Sequence, residues 1–316
     1  DTFMLFPWIV QIDFAPAKSI FWFPSDGGGG LPIGCDQILR KFHHPVAMSK
    51  FGQKQVKEIH NINTHYIPHA VNQNLLCPLP QNEKEQLKAK WGLTDKYVVG
   101  LVGRNQGRKM HDRFLKAFTI WCKKHPEAVL LIHSDPDDLA QSFSMQQQIE
   151  LRGIQNRIRY TGMKYHNSFT YQQMNEVYNL MDVYVSSTSG EGFGICTLDA
   201  MSCEIPVLIT SYTSSDELVV EHQCGETVKL AGCDNYNVMQ MNIKEYDIAT
   251  MNGTILGTWS VERALVDIND FVEKLEKLYN DSELRKQYGK NGREAVLKEY
   301  SWSIVTDSWD KLLQTI

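Results

Sequence analysis

No stretch of this 316-residue chain approaches ~18 consecutive apolar positions, so the sequence predicts no transmembrane helix. An apolar h-region followed by a small-residue cleavage site is missing as well, and no secretory leader is expected within the given residues. The opening Asp1-Thr2-Phe3 lacks Met, so a lost leader stays open. Basic excess is absent: 32 Lys and Arg stand against 37 Asp and Glu, for a net charge of −5. That gives no global footprint for nucleic acid. Seven cysteines (35, 77, 122, 196, 203, 224 and 233) contain no Cys-x-x-Cys pair. Their odd number and irregular spacing predict reduced thiols and a cytoplasmic setting. His43-His44, His60 and His69 lack ligand spacing, and no metal site is expected from them.

What is present suffices for two compact domains, with 42% hydrophobic and 22% charged residues. In the first block, Ile20 to Pro24 reads as a buried strand and residues 25–32 as a glycine-rich loop. A short helix follows over Cys35 to Phe42, then a strand over Pro45 to Met48. Ser49 reads as the N-cap of a helix running to about Ile59, and His65 to Pro68 as another strand. Residues 72–82 read as an interdomain connection. The second block alternates more regularly. Strands are expected at Tyr97–Val102, Ala128–His133, Ile158–Thr161 and Val183–Ser186. Helices are expected at Asp112–Lys124, 144–151 and Tyr171–Met181. Such alternation predicts an α/β protein with a parallel sheet covered on both faces. Residues 231–264 break the pattern and read as an insertion. Amphipathic helices are expected over Val266–Tyr279 and Ser282–Glu299, and a last one carries Val305, Trp309 and Leu312.

The most informative stretch is Gly190-Glu191-Gly192-Phe193-Gly194-Ile195-Cys196-Thr197-Leu198-Asp199-Ala200-Met201, directly behind the 183–186 strand. A glycine-rich turn lets backbone N–H groups approach a ligand, and the helix start behind it favours negative charge. Ionised Glu191 and Asp199 suit hydroxyl donors. A nucleotide-sugar, with its diphosphate between two hydroxylated rings, fits both features. A glycine-rich turn with surface acids is the plain alternative. The second constellation, Gly103-Arg104-Asn105-Gln106-Gly107-Arg108-Lys109, follows the 97–102 strand. Basic residues at the carboxyl end of a parallel strand face the ligand crevice, where they can neutralise a departing diphosphate. Weaker candidates are Asp26 at a strand end, His133 at another, and Met163 after Tyr160-Thr161-Gly162. Asp135-Pro136-Asp137-Asp138 matches the Asp-x-Asp arrangement used to bind divalent metal, but its proline reads better as a turn.

In Glu191-Gly192-Phe193-Gly194 and Asp199-Ala200-Met201 the chain resembles the retaining glycosyltransferases of family 4. The family has Glu where Asp199 stands. Met48-Ser49-Lys50-Phe51 and Ile67-Pro68-His69-Ala70-Val71-Asn72 match two further family segments. The resemblance implies a GT-B fold: two Rossmann-like, doubly wound parallel-sheet domains facing a cleft. The expected division is 1–75 for the closing part of an acceptor-side domain, 76–299 for the nucleotide-sugar domain, and 300–316 for a helix crossing back. About 75 residues are few for a Rossmann-like domain, so that first domain is expected to be incomplete.

By the same resemblance, Arg104, Lys109 and the backbone around Phe193, Gly194 and Ile195 hold the diphosphate. Glu191 accepts hydrogen bonds from the sugar and Asp199 from the ribose. Gly103, Gly190, Gly192, Thr197, His133 and Met163 line the donor site, and Asp26 stands where many relatives place a histidine. Arg108 has no counterpart and is expected to be solvated. The implied reaction moves a sugar from a UDP- or GDP-sugar to an acceptor hydroxyl with retention, without metal or cofactor. A catalytically silent nucleotide-sugar-binding subunit is the rival. A nicotinamide-dependent oxidoreductase would need a Gly-x-Gly-x-x-Gly unit after a first strand, which is missing.

Overall fold

The computed structural model describes residues 12–29, 31, 35–138, 143–164, 166–243 and 255–316. The glycine-rich loop 25–32 and the insertion 231–264 are therefore described only in part. Gly30, Pro32 and residues 244–254 lie outside the described residues.

A three-stranded parallel sheet comes first, ordered β1 (Ile20–Phe23), β2 (His44–Ala47) and β3 (His65–Tyr66). Helices α1 (Cys35–Lys41) and α2 (Lys50–His60) make its crossovers. The start of α2 follows from Ser49, whose Oγ accepts the Gly52 N–H at 3.0 Å. It ends at Asn61, which takes the left-handed conformation at φ 51°.

Helix α3 (Gln81–Lys90) lies beyond what the sequence reading anticipated. Only Leu87 of its ten residues is buried, so no apolar stripe announces it. Its helix signal is the run of Gln, Glu, Lys, Leu and Ala, all good helix formers.

The second sheet has six parallel strands: β4 (Tyr97–Val102), β5 (Ala128–His133), β6 (Ile158–Tyr160), β7 (Val183–Ser186), β8 (Val207–Thr210) and β9 (Gly225–Val228). Their order is β6-β5-β4-β7-β8-β9. Helices α4 (His111–Trp121), α5 (Met145–Leu151), α6 (Tyr171–Asn179), α7 (Ile195–Ser202) and α8 (Ser215–Val219) connect them.

Side chains of this sheet alternate between two cores. Val98, Val102, Val129, Leu131, Tyr184, Val207 and Ile209 pack on one face against α6 and α7. Val99, Leu101, Leu130, Ile132, Val183, Val185 and Leu208 pack on the other, against α4 and α5. Burial on both faces is why these strands read as continuous apolar runs and not as alternating ones. The strand order also creates a switch point. The chain leaves β4 outward through β5 and β6, then returns to pair β7 on β4's other side. The loops after β4 and β7 thus flank one crevice, where ligands bind in such sheets.

The insertion takes the form of an antiparallel two-stranded ribbon, β10 (Leu230–Ile243) with β11 (Ile255–Val266). Behind it come α9 (Ile268–Asn280), whose N-cap Asp267 accepts two backbone N–H groups, and α10 (Ser282–Ala295). The helix expected over 282–299 changes to a π turn at Val296–Tyr300. Helix α11 (Trp302–Gln314) then returns to the first sheet. Its Val305 and Leu312 pack with Val46 and Ile67, and Trp309 sits edge-on to Trp22 at 5.6 Å.

Candidate active site

The crevice between the two sheets is a cavity of about 370 Å³. Pro24, Met48 and His69 line it from the first sheet. Arg108, Lys109, Tyr184 and residues 191–197 line it from the second.

Two loops make its floor, and backbone contacts lock them together. After β4 the chain forms a 3₁₀ turn, Gly107–Lys109, that ends at Met110 in the left-handed region. After β7, Ser189 N–H donates to Arg108 O at 2.6 Å and Ser189 Oγ to the same oxygen at 2.9 Å. Ser187 Oγ donates to Met110 O at 2.8 Å. The next turn is fixed from below: Ser214 Oγ donates to Glu191 O and Phe193 O, and Thr213 Oγ1 accepts the Glu191 N–H at 3.0 Å. Gly194, at φ +103°, supplies the left-handed residue that opens α7. Gly190 permits close approach, since a Cβ there would sit 1.9 Å from Asp26 O.

These contacts bring Glu191 between two cations. Arg108 Nη1 donates to its Oε2 at 2.9 Å and to Gly190 O at 3.1 Å, and Lys109 Nζ pairs with its Oε1. Burial pushes the Glu191 carboxyl up, but Lys109 and Arg108 outweigh burial and hold it at about 2. Glu191 is therefore ionised at neutral pH, a hydrogen-bond acceptor and not a proton donor.

Arg108 thus differs from the solvated side chain expected of it. Besides Glu191 it faces Asp26, with Nε 3.9 Å from Oδ2, and Asp26 in turn pairs with Arg263 of β11 at 3.2 Å. Arg108 lay within the basic constellation but was expected to be solvated, and Arg263 carried no site signal in the sequence. Their roles rest on Asp26, 82 and 237 positions away.

The other candidates are distributed as follows. Glu191, Lys109, Gly192, Phe193, Gly194, Ile195 and Thr197 meet in the cavity lining. Arg104, after Gly103, turns instead to Asp138, whose Oδ1 accepts Nη2 at 3.0 Å. Asp138 is buried, and a buried carboxylate needs such a partner. Asp137 N–H closes on Asp135 Oδ1 at 3.0 Å, so the 135–138 stretch forms the turn its proline suggested. His133 is buried at the end of β5, with Nδ1 2.9 Å from Thr161 Oγ1, and burial pushes its pKa down to about 4. Met163 follows β6 and does not reach the cavity lining.

Asp199 lies on α7, outside the lining, with Tyr178 Oη donating to its Oδ2 at 3.4 Å. Burial pushes it up to about 7. His69 was weighed only as a metal ligand, yet it lines the cavity. Its signal was its place in Ile67-Pro68-His69-Ala70-Val71-Asn72, one of the segments that carry the resemblance.

Comparison with known proteins places this geometry. Residues 83–232 match the family model described as glycosyl transferases group 1. The capsular polysaccharide biosynthesis glycosyltransferase CapM of Staphylococcus aureus is 26% identical over 234 residues, 74% of this chain and 50% of CapM. The chain spans about half the length of that curated relative. Among solved structures, sucrose-phosphate synthase from Thermosynechococcus elongatus superposes with a TM-score of 0.74 at 16% identity, covering 99% of this chain and 71% of that one. Anabaena HepE, solved in complex with UDP, gives 0.70 at 14% identity, covering 100% and 75%. Both likenesses are likenesses of fold. Residues 83–232 are thus similar to the glycosyl transferases group 1 family, and the chain has the GT-B fold of two parallel-sheet units facing a cleft.

Proposed function

We propose that this protein transfers a sugar from a nucleotide-sugar to an acceptor hydroxyl, with retention of anomeric configuration and without a metal ion. The observation that carries this reading is the convergence of Lys109 and Arg108 on Glu191 beside the Gly192-Phe193-Gly194 turn that opens α7. Residues 76–299 bind the donor in this reading, residues 1–75 face the acceptor, and 300–316 tie the two together.

A nucleoside diphosphate enters with negative charge and competes with Glu191 for the two cations. Backbone N–H groups at the start of α7 add to its hold. Lys109 and Arg108 then neutralise the charge that grows on the departing diphosphate, where preorganised cations act most strongly. Glu191, released from its partners, accepts hydrogen bonds from sugar hydroxyls. Asp199 is assigned to the ribose, and Arg104 to the diphosphate once it leaves Asp138. The departing phosphate oxygen takes the acceptor proton. UDP in the HepE complexes supports a uridine nucleotide as the first donor to try.

Donor hydrolysis and thermal shift across UDP-, GDP- and ADP-sugars, with EDTA present, test the reading. Turnover that Glu191→Gln abolishes, with stabilisation by the nucleotide retained, supports it. A folded protein that responds to none of the donors overturns it. The anomeric signal of the released sugar, followed by NMR, reports retention or inversion.

A further inference from the structure

We propose that Arg263, on the inserted ribbon, is a positioning residue that holds Asp26 and so keeps Arg108 available to a nucleoside diphosphate. The inference rests on the donor-site reading above.

The base of the ribbon is held against the cleft from two sides. Ala264 N–H donates to Ser189 O at 3.0 Å, in the loop that also anchors Arg108. Glu262 bridges to Gly28 of the first block, and Tyr212 Oη closes the joint by accepting the Gly28 N–H at 2.8 Å and donating to Glu262 Oε1 at 2.7 Å. Arg263, between these anchors, is buried, with its side chain 8% exposed. It donates to the backbone oxygen of Asp26 and pairs with Asp26 Oδ1. The other carboxylate oxygen faces Arg108.

Five charges thus alternate from ribbon to cleft: Arg263, Asp26, Arg108, Glu191 and Lys109. Three are cations and two are anions, so the row presents one net positive charge to an incoming anion. Arg263 does not line the cavity. Without it, Asp26 has Arg108 as its remaining cation in the row. The 3.9 Å pair then tightens, and Arg108 is withdrawn from the diphosphate. Arg263 also lies outside residues 83–232, so this control arrives with the insertion and not with the matched family segment.

Calorimetric titration of the full chain with UDP and with GDP tests this, using Arg263→Met, Asp26→Asn and the double variant. Arg263→Met is expected to weaken nucleotide binding by about tenfold, and the double variant to restore it to within about threefold of wild type. A merely structural role for Arg263 predicts no such rescue. Asp26→Asn alone is expected to bind as tightly as wild type or tighter, which keeps the test available should Arg263→Met fail to fold. Unchanged affinity in a folded Arg263→Met, a double variant as weak as Arg263→Met, or weakened binding by Asp26→Asn overturns the inference while leaving the donor-site reading intact. Wild-type protein that binds neither UDP nor GDP overturns both.

Discussion

The imidazole of His69 lies 5.3 Å from the ring of Phe193. One residue follows β3 of the first sheet and the other belongs to the turn behind β7 of the second, so this contact joins the two across the cleft. Trp22 supports His69 from behind at 4.3 Å and itself meets Trp309 of α11. The terminal helix is thereby connected to the cavity through aromatic rings.

Burial pushes the His69 pKa from 6.5 down to about 4. The unfolded chain therefore takes up a proton that the folded chain refuses as pH drops from about 6.5 towards 4. This costs stability over that window and nothing above it. His69→Phe keeps a ring against Phe193 and Trp22 but removes the titration. Urea unfolding of this variant is expected to show a shallower loss of stability between pH 7 and pH 4.5, by at most ~1 kcal/mol after allowance for partial exposure. An unchanged slope contradicts the assignment.

Glu191→Gln removes the charge that two cations share. Donor hydrolysis is expected to fall by about 100-fold or more. UDP binding is expected to stay or tighten, because Lys109 and Arg108 lose their competitor. Since Glu191 titrates at about 2, its contribution to stability is complete above about 4.5 and fades only as pH falls towards 2. Wild-type and variant hydrolysis rates together with UDP titrations separate the two effects. Parallel loss of turnover and nucleotide binding would count against the exchange of partners.

Asp199 carries the opposite sign. Its carboxyl is raised from 3.8 to about 7 by burial, so the folded state favours the protonated acid. That contribution is complete below about 3.8 and is lost as pH rises through 7. Asp199→Asn is expected to stabilise the free protein at pH 8 by about 1–2 kcal/mol and to change little at pH 4. Denaturant midpoints at the two pH values decide it, and equal shifts at both would refute the buried-acid account.

Gly190→Ala tests the close approach of the two sheets. Its Cβ would fall 1.9 Å from Asp26 O and 2.8 Å from Arg263 Nη1. A loss of ~1–3 kcal/mol is expected, together with weaker nucleotide binding. Gly232→Ala, with nothing within 4 Å of its Cβ, serves as the control and is expected to stay within ~0.5 kcal/mol. Thermal melts of both variants give the comparison. A Gly190→Ala melt as benign as the control would mean the loops part more easily than their contacts suggest.

Much of this molecule was legible in one dimension because its signals are local. The apolar strands β4, β5 and β7, the Ser49 cap and the glycine-rich turn at 190–194 each depend on neighbours within a few positions. The basic loop and the acidic turn are far apart in sequence, but each follows a strand, and the alternation of strands and helices already brings those strand ends to one edge of a parallel sheet. Where the local signal is faint, the reading thins. Helix α3 has one buried apolar residue and no stripe, and the insertion offered only a break in pattern where the structure has a ribbon.

Which charges meet was beyond the sequence. Arg104 and Lys109 have family spacing, but the 3₁₀ turn at 107–109 turns Arg108 as well as Lys109 towards Glu191, while buried Asp138 claims Arg104. Asp26, Arg108 and Arg263 are linked although 237 positions separate the outer two. A charge pairs with whatever opposite charge packing delivers within a few ångströms, and its energy depends on distance and burial and not on sequence separation. The sequence alone therefore determined the strands, the caps, the glycine-rich turn and the placing of a basic loop and an acidic turn at the sheet's edge. Only the tertiary structure, by docking the ribbon and the first sheet onto that edge, decided which cations pair with Glu191 and Asp26 there.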